Sequence, residues 1–169
     1  TTGNALWLPG KVNNIEKIKI YSPNNSNGCA IASDPNLPVT DLTIDKYEIE
    51  GFRNGIYIPF GLVMEINMGR VIGQAGVGTG IRLGDSHLTH TVNMAKITES
   101  YVSFFSTAAT LIGSIMLIDQ MVLDNCSVGI NNESRLFING SWLQPDNYIF
   151  SSSTSGYPIT AVQNYYLTS

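Results

Sequence analysis

Charged side chains are scarce in this chain of 169 residues: 13% of its positions, nine Lys and Arg against thirteen Asp and Glu. A net charge of −4 leaves no basic stripe to neutralise a phosphate backbone, so no nucleic-acid partner is expected. Long apolar runs are missing too. None approaches the ~20 residues that a bilayer-crossing helix needs, and no membrane insertion is expected. Cysteine is limited to Cys29 and Cys126, which match no metal spacing. A disulfide between them stays open beside two buried free thiols. The thiols are favoured, because free Cys packs as a small hydrophobe. The two histidines, His87 and His90, stand three apart in DSHLTHT with no third ligand in view. That spacing argues against zinc, and neither a metal nor a cofactor is expected. The start, TTGNALWLPG, lacks the charged region and apolar core of a signal peptide, and its abruptness suggests a processed chain or a fragment.

What is present points one way. Apolar residues make up 43% of the chain, too many for disorder. Asn, Ser, Thr and Gly occupy the polar positions, and good surface helix formers are few. An all-β fold follows. The glycine-spaced GTGIRLG at 78–84 could be taken for a phosphate loop. No Lys-Ser/Thr follows it, however, and it has no βαβ setting. It reads better as one corner and strand of a repeat.

The repeat shows in LTIDKYEIEG (42–51), MEINMGRVIG (64–73), VNMAKITES (92–100), MLIDQMVLDN (116–125) and LFINGSWLQ (136–144), with KIKIYS (17–22) as a weaker first member. Taking Ile20, Ile44, Ile66, Met94, Ile118 and Ile138 as equivalent gives spacings of 24, 22, 28, 24 and 20 residues. A second strand follows in each unit: GIYI, GIRLG, SFFS, VGIN and YIF. Units this short cannot bury an apolar face alone and must stack. The expected stack has Ile44, Ile66, Met94, Ile118 and Ile138 inside one sheet. Ile56, Ile81, Phe104, Val128 and Ile149 or Phe150 lie inside another. A jelly roll is the main competitor, but it does not require a near-constant period.

On these LTI, EIN, VNM, LID and FIN strands with their GIYI and GIRL partners, residues 15–150 resemble the pectate-lyase-like superfamily. Within it, the likeness is to bacteriophage tailspikes and capsule depolymerases. The resemblance implies a right-handed parallel β-helix, a single-stranded solenoid of about five to six coils. It also implies a homotrimer on the virion tail, outside the cell, that recognises and depolymerises a bacterial surface polysaccharide. A non-catalytic shaft or adhesin, and a secreted cellular polysaccharide lyase, are the alternatives. The Gly-Asp-Gly-x-x-Asp-Asp motif with which family members often start is missing, and the chain is short for a catalytic β-helix. A fragment of a longer spike is therefore expected. Residues 1–150 should form the β-helix domain. Residues 151–169 should form a flexible connection and a strand that either covers the last coil or crosses to another subunit.

Outward positions are the sequence neighbours of the inward ladder. One expected column is Tyr21, Asp45, Asn67, Ala95, Asp119 and Asn139. A second is Lys19, Thr43, Glu65, Asn93, Leu117 and Phe137. A third, past the bend, holds Glu48, Arg70, Thr98, Val122 and Trp142. Asp45 and Glu65 on adjacent coils suit acid–base work on a glycosidic bond. Arg70 would stabilise charge beside them, as a lyase requires, and Arg82 could play the same part. Glu48, Asn67, Tyr57, Arg82, Asp119 and Trp142 are the candidate substrate contacts. Tyr57, Tyr101, Phe137 and Trp142 could stack on sugar rings, and Trp7 would cap the first coil. Asp119 and Asp124 form a further carboxylate pair, flanked by apolar residues that suggest a covered face. The plain alternative is that these are ordinary solvated side chains on a face that must be polar.

Overall fold

A computed structural model describes residues 3–10, 13–74, 76–89, 91–152 and 157–166. Among them there is no helix. The strands are β1 (Leu6–Leu8), β2 (Asn13–Glu16), β3 (Lys19–Ser33), β4 (Val39–Asp45), β5 (Glu48–Ile58), β6 (Gly61–Gly73), β7 (Thr79–Leu83), β8 (Val92–Ser103) and β9 (Thr107–Asp119). They continue as β10 (Val122–Asp124), β11 (Val128–Asn139), β12 (Trp142–Gln144), β13 (Tyr148–Ser151), β14 (Ile159–Val162) and β15 (Tyr165–Tyr166). Their pairings are parallel, each strand lying against its counterpart in the next repeat. The chain is a parallel β-solenoid of about six turns, compatible with a pectate-lyase-like β-helix. The jelly-roll alternative falls with the absence of antiparallel pairing among the described residues.

Each turn runs through three faces. In the turn that starts at β4, the first face is residues 42–45, the second 48–50 and the third 56–58. Longer strands such as β6, β8 and β11 bend at a corner and serve two faces. On the first face the interior ladder is Ile44, Ile66, Ile97, Ile118 and Ile138, each at most 2% exposed. On the second it is Ile49, Val71, Val102, Leu123 and Leu143. On the third it is Ile31, Ile56, Ile81, Ala109, Ile130 and Phe150. GTGIRLG is a corner at Gly78, where φ is 72°, followed by β7.

Three expected ladder members are corrected. Met94 faces outward at 39% exposure, and Ile97 takes the interior place. Phe104 sits outside at a corner with φ of 62°, while its neighbour Phe105 fills the interior and Ala109 holds the ladder position. Val128 pairs with Thr107, two residues before the true member Ile130. In the first two cases small residues (Ala95, Ala109) stand where the interior frame runs, so the larger neighbour carried the apolar signal; Val128 was simply taken two residues too early in the same strand. Ile20 pairs with Ile49 on the second face, and Ile15 is the partner of Ile44. The outward columns shift accordingly. Glu16 and Thr98 replace Tyr21 and Ala95 beside Asp45 and Asn67, and Asn14 and Lys96 replace Lys19 and Asn93 beside Thr43 and Glu65. Tyr101 replaces Thr98 between Arg70 and Val122.

The corner between first and second faces is the same in every turn. Lys17, Lys46, Met68, Glu99, Gln120, Gly140 and Gln163 all have φ between 46° and 58°. Only one is glycine, although each non-glycine in this region costs ~1–2 kcal/mol. The strain is offset by hydrogen bonds between turns that run on through the bend. The Lys46 amide donates to the Asn67 carbonyl at 3.1 Å, and the Gln120 amide to the Asn139 carbonyl at 3.0 Å. Just inside this corner, the buried Tyr47 ring lies along the stack. Its hydroxyl donates to Ser100 Oγ at 2.9 Å, two turns away. The turn between them must be glycine there, because a Cβ at Gly69 would lie 2.4 Å from the Tyr47 ring.

The last described strands add a partial turn. β14 pairs with β11 and β15 with β12, both parallel, so 157–166 lie on the preceding turn rather than away from it. The expected SSSTSG connection includes residues 153–156, which lie outside the described residues. Cys29 and Cys126 are free and buried. Burial raises both thiols, Cys126 to about 11.

Two substitutions test the register. Ile97→Ala should cost ~2–5 kcal/mol as a core truncation, while Met94→Ala should stay within ~0.5 kcal/mol, as usual at a surface. Urea denaturation measures both, and the reverse order would restore Met94 to the interior. Gly69→Ala should destabilise by ~1–3 kcal/mol, since the added methyl overpacks a space the Tyr47 ring fills. In the double variant with Tyr47→Ala, the added methyl should carry little further penalty.

Candidate functional site

The nine candidate residues separate onto three faces. Asp45, Glu65, Asn67 and Asp119 stand on the first, Glu48, Arg70 and Trp142 on the second, and Tyr57 and Arg82 on the third.

On the first face, Asp45 opposes Asn67 and Glu65 opposes Thr43. Asp45 and Glu65 are therefore diagonal neighbours, ~7–8 Å apart by sheet geometry, close to the separation of an inverting acid–base pair, ~6.5–9.5 Å. Asp45 lies 3.5 Å from Lys46. Its column continues as a row of short polar side chains, with Thr98 Oγ1 donating to Asn67 at 2.6 Å and Asn139 Nδ2 to Asp119 at 3.0 Å. Further along, a groove of about 400 Å³ runs between Leu117 and Phe137 on one side and Asp119 and Asn139 on the other. Beside it stands a column that sequence reasoning left out: Asp41, Val63, Met94, Ile115 and Arg135.

Arg70 is not among these groups. The left-handed corner at Met68 turns it onto the second face, where its guanidinium pairs with Glu48. Lys19 holds the other Glu48 oxygen at 2.6 Å. The Lys19 and Arg70 bonds keep the Glu48 carboxyl below the usual range. This charged row passes into an aromatic one, so that the column reads Lys19, Glu48, Arg70, Tyr101, Val122, Trp142. The Tyr101 hydroxyl donates to Asp124 at 3.2 Å, and the Trp142 indole N–H to Gln144 at 3.3 Å. Trp142 stays 43% exposed. Asp124 thus belongs to the second face and Asp119 to the first, so the two do not form a pair.

On the third face, Tyr57 and Arg82 are engaged with a residue that the sequence reading passed over. The Tyr57 hydroxyl donates to Asp85 Oδ2 at 2.6 Å, and Arg82 meets the same oxygen at 3.0 Å. The Arg82 guanidinium also lies 5.0 Å from the Tyr57 ring centroid. Asp85 Oδ1 accepts the His87 amide at 3.0 Å. Together they hold Asp85, just after β7, to this face. The signal was an Asp opening a polar loop, whose carboxylate can accept the amide two residues on in an Asx turn. His87 is exposed, and His90 lies outside the described residues. Burial and the Asp85 contact raise Tyr57 to about 12. Among the described residues no group of three His, Cys, Asp or Glu could hold a metal ion.

Asp85 supplies a pH test. Burial pushes its carboxyl up, but the Tyr57 hydroxyl, the His87 amide and Arg82 outweigh that and hold it below the usual range. A depressed folded pKa gives stability that is complete above the unfolded value of ~3.9 and lost as pH falls through the folded one. Asp85→Asn should melt below the parent chain at about pH 7 and converge with it toward about pH 2. A gap that is constant across a pH series of melts would show that the charge is not what holds Asp85 to this face.

No protein-family model matches the chain, and no curated protein and no solved structure does so.

Proposed function

We propose that this chain is a segment of a viral tail protein of the tailspike kind, and that it recognises a bacterial surface polysaccharide through its second face. The observation that carries the reading is the column Arg70, Tyr101, Val122, Trp142. Strand pairing holds the two aromatic rings two turns apart, ~10 Å at the coil spacing. Rings fixed this way offer apolar faces to pyranose units at little entropic cost. The neighbouring column supplies acceptors, Asp124 and Gln144, oriented by the Tyr101 and Trp142 donors. Lys19 and Arg70 extend the face toward acidic sugars.

Recognition is favoured over cleavage because the geometry divides the expected catalytic set. Asp45 and Glu65 share one face, whereas Arg70 is paired with Glu48 around the corner. A second reading, hydrolysis by the Asp45–Glu65 pair, rests on their diagonal placement alone.

Calorimetric titration with a panel of bacterial capsular and O-chain polysaccharides tests the proposal. Tyr101→Ala and Trp142→Ala should each weaken binding about tenfold or more, with melting shifted by no more than ~1 kcal/mol, since neither ring is core. Binding that persists in the double variant would remove the second face from the reading. Depolymerisation that falls ~10²-fold in Asp45→Asn and Glu65→Gln would establish the hydrolytic reading instead.

A further inference from the structure

Among the described residues, the corner between the first and second faces carries a side chain in six turns and none in one. Lys17, Lys46, Met68, Glu99, Gln120 and Gln163 hold the left-handed bend, and Gly140 alone leaves it bare. Packing does not call for a glycine there. A Cβ at Gly140 would come no closer than 3.5 Å to a neighbour, an ordinary contact, whereas at Gly69 the Tyr47 ring fills the space. Nor does the bend call for one, since six side chains hold nearly the same torsion. A position left bare without either need is free to admit something from outside the chain at close range.

The surroundings of the gap identify what comes close. Toward the second face Ser141 is buried, so the next exposed side chain is Trp142. Toward the first face Asn139 stands at the edge of the 400 Å³ groove. Leu117, Phe137 and Val162 supply the apolar lining of that groove, and Asp119, Asn139 and Thr160 its polar lining. The Asn139 amide donates to Asp119 Oδ1 at 3.0 Å. That bond orients both side chains and leaves acceptor lone pairs on each, with one amide hydrogen still to give. Two adjacent sugar hydroxyls, each able to donate and accept, match this set. Phe137, 39% exposed, offers an apolar ring face beside them. The charged residues of the lining are Lys96 and Asp119, one of each sign, so a neutral unit suits the groove.

We infer that the glycan site continues past Trp142, crosses the bare corner at Gly140 and enters the first-face groove. There Phe137, Asp119 and Asn139 take a neutral pyranose with adjacent hydroxyls. The inference rests on the second-face reading and extends it, because the ligand becomes a chain long enough to bend around a corner. Phe137 and Trp142 are five residues apart, at most ~17 Å by strand rise, a span of several sugar units. A disaccharide reaches one face only. At the neighbouring turns the same path is blocked by the exposed Gln120 and Gln163, so the crossing has one place.

Heteronuclear NMR of the intact chain tests this, titrated with disaccharides and hexasaccharides cut from bacterial capsular and O-chain polysaccharides. The Trp142 indole N–H and the Asn139 side-chain amide report the two faces separately. With a hexasaccharide that binds, both signals should move along one curve; with its disaccharide they should uncouple. Gly140→Gln rebuilds the corner as it stands at Gln120 and Gln163. It should weaken hexasaccharide binding about tenfold or more and leave disaccharide binding within about twofold. Gly140→Ala carries the same backbone torsion but leaves the gap open, and should bind the hexasaccharide within about threefold of the parent. The two variants separate filling of the gap from strain in the bend. Movement of Trp142 without Asn139 would overturn the crossing and leave second-face recognition standing. Stillness of both signals with every fragment would overturn both. Equal losses in the two Gly140 variants, or no loss in Gly140→Gln, would overturn the crossing alone.

Discussion

The rest of the structure depends on the residue that closes the first face in each turn and enters the left-handed region. Parallel pairing alone would let a turn slide along its neighbour, and a slip of one position would exchange interior and exterior side chains. A bend at a fixed place in every turn prevents that, because the corner residues must also stack. Six of the seven carry side chains that this region disfavours. They hold it because the amides of the bend donate to carbonyls of the next turn. The local strain is distributed along the stack, and it fixes the phase of all three faces at once.

Once the phase is fixed, chemistry on this molecule comes in columns. A side chain is placed by its turn and by its face, and residues close in the repeat can point in unrelated directions. Glu65 and Arg70 are five positions apart and are separated by the corner. Arg70 and Trp142, far apart in the chain, share one row. The faces also have different surfaces. The third carries the Tyr57–Arg82–Asp85 cluster, the second mixes fixed charges with the half-buried Tyr101 and the exposed Trp142, and the first is aliphatic with polar margins.

Much of this was legible in the residues. The short period, the all-β composition and the inward Ile44, Ile66, Ile118 and Ile138 follow from alternation and spacing. So does the reading of GTGIRLG as a corner and a strand. The errors fall where the interior frame passes through small residues. In VNMAKIT, the apolar weight of Met94 hides the fact that Ala95 and Ile97 continue the buried frame. In SFFSTAATL, two phenylalanines announce a strand that begins only at Thr107. The candidate site suffered differently. Adjacency of Asp45, Glu65 and Arg70 was inferred from a ladder, and ladders say which turn a residue occupies but not which way it faces beyond a corner. The sequence puts Glu48 and Arg70 past the bend, but how far the bend turns them away from Asp45 and Glu65 resides in the left-handed torsions at Lys46 and Met68.

The tie from Tyr47 over Gly69 to Ser100 has a consequence for how the molecule comes apart. In an ideal solenoid each turn touches only its two neighbours, so unfolding can travel inward from an end like a row of fraying rungs. A ring that passes one turn to bond the next but one adds a coupling of longer range. The turns of Tyr47, Gly69 and Ser100 become a single block, in which none can open while the other two stay native. Amide exchange should be slowest in that block and quicken toward both ends. The chain's cooperativity is thereby centred on three consecutive turns in the middle of the chain, which take in Tyr101 of the second face and leave Trp142 outside.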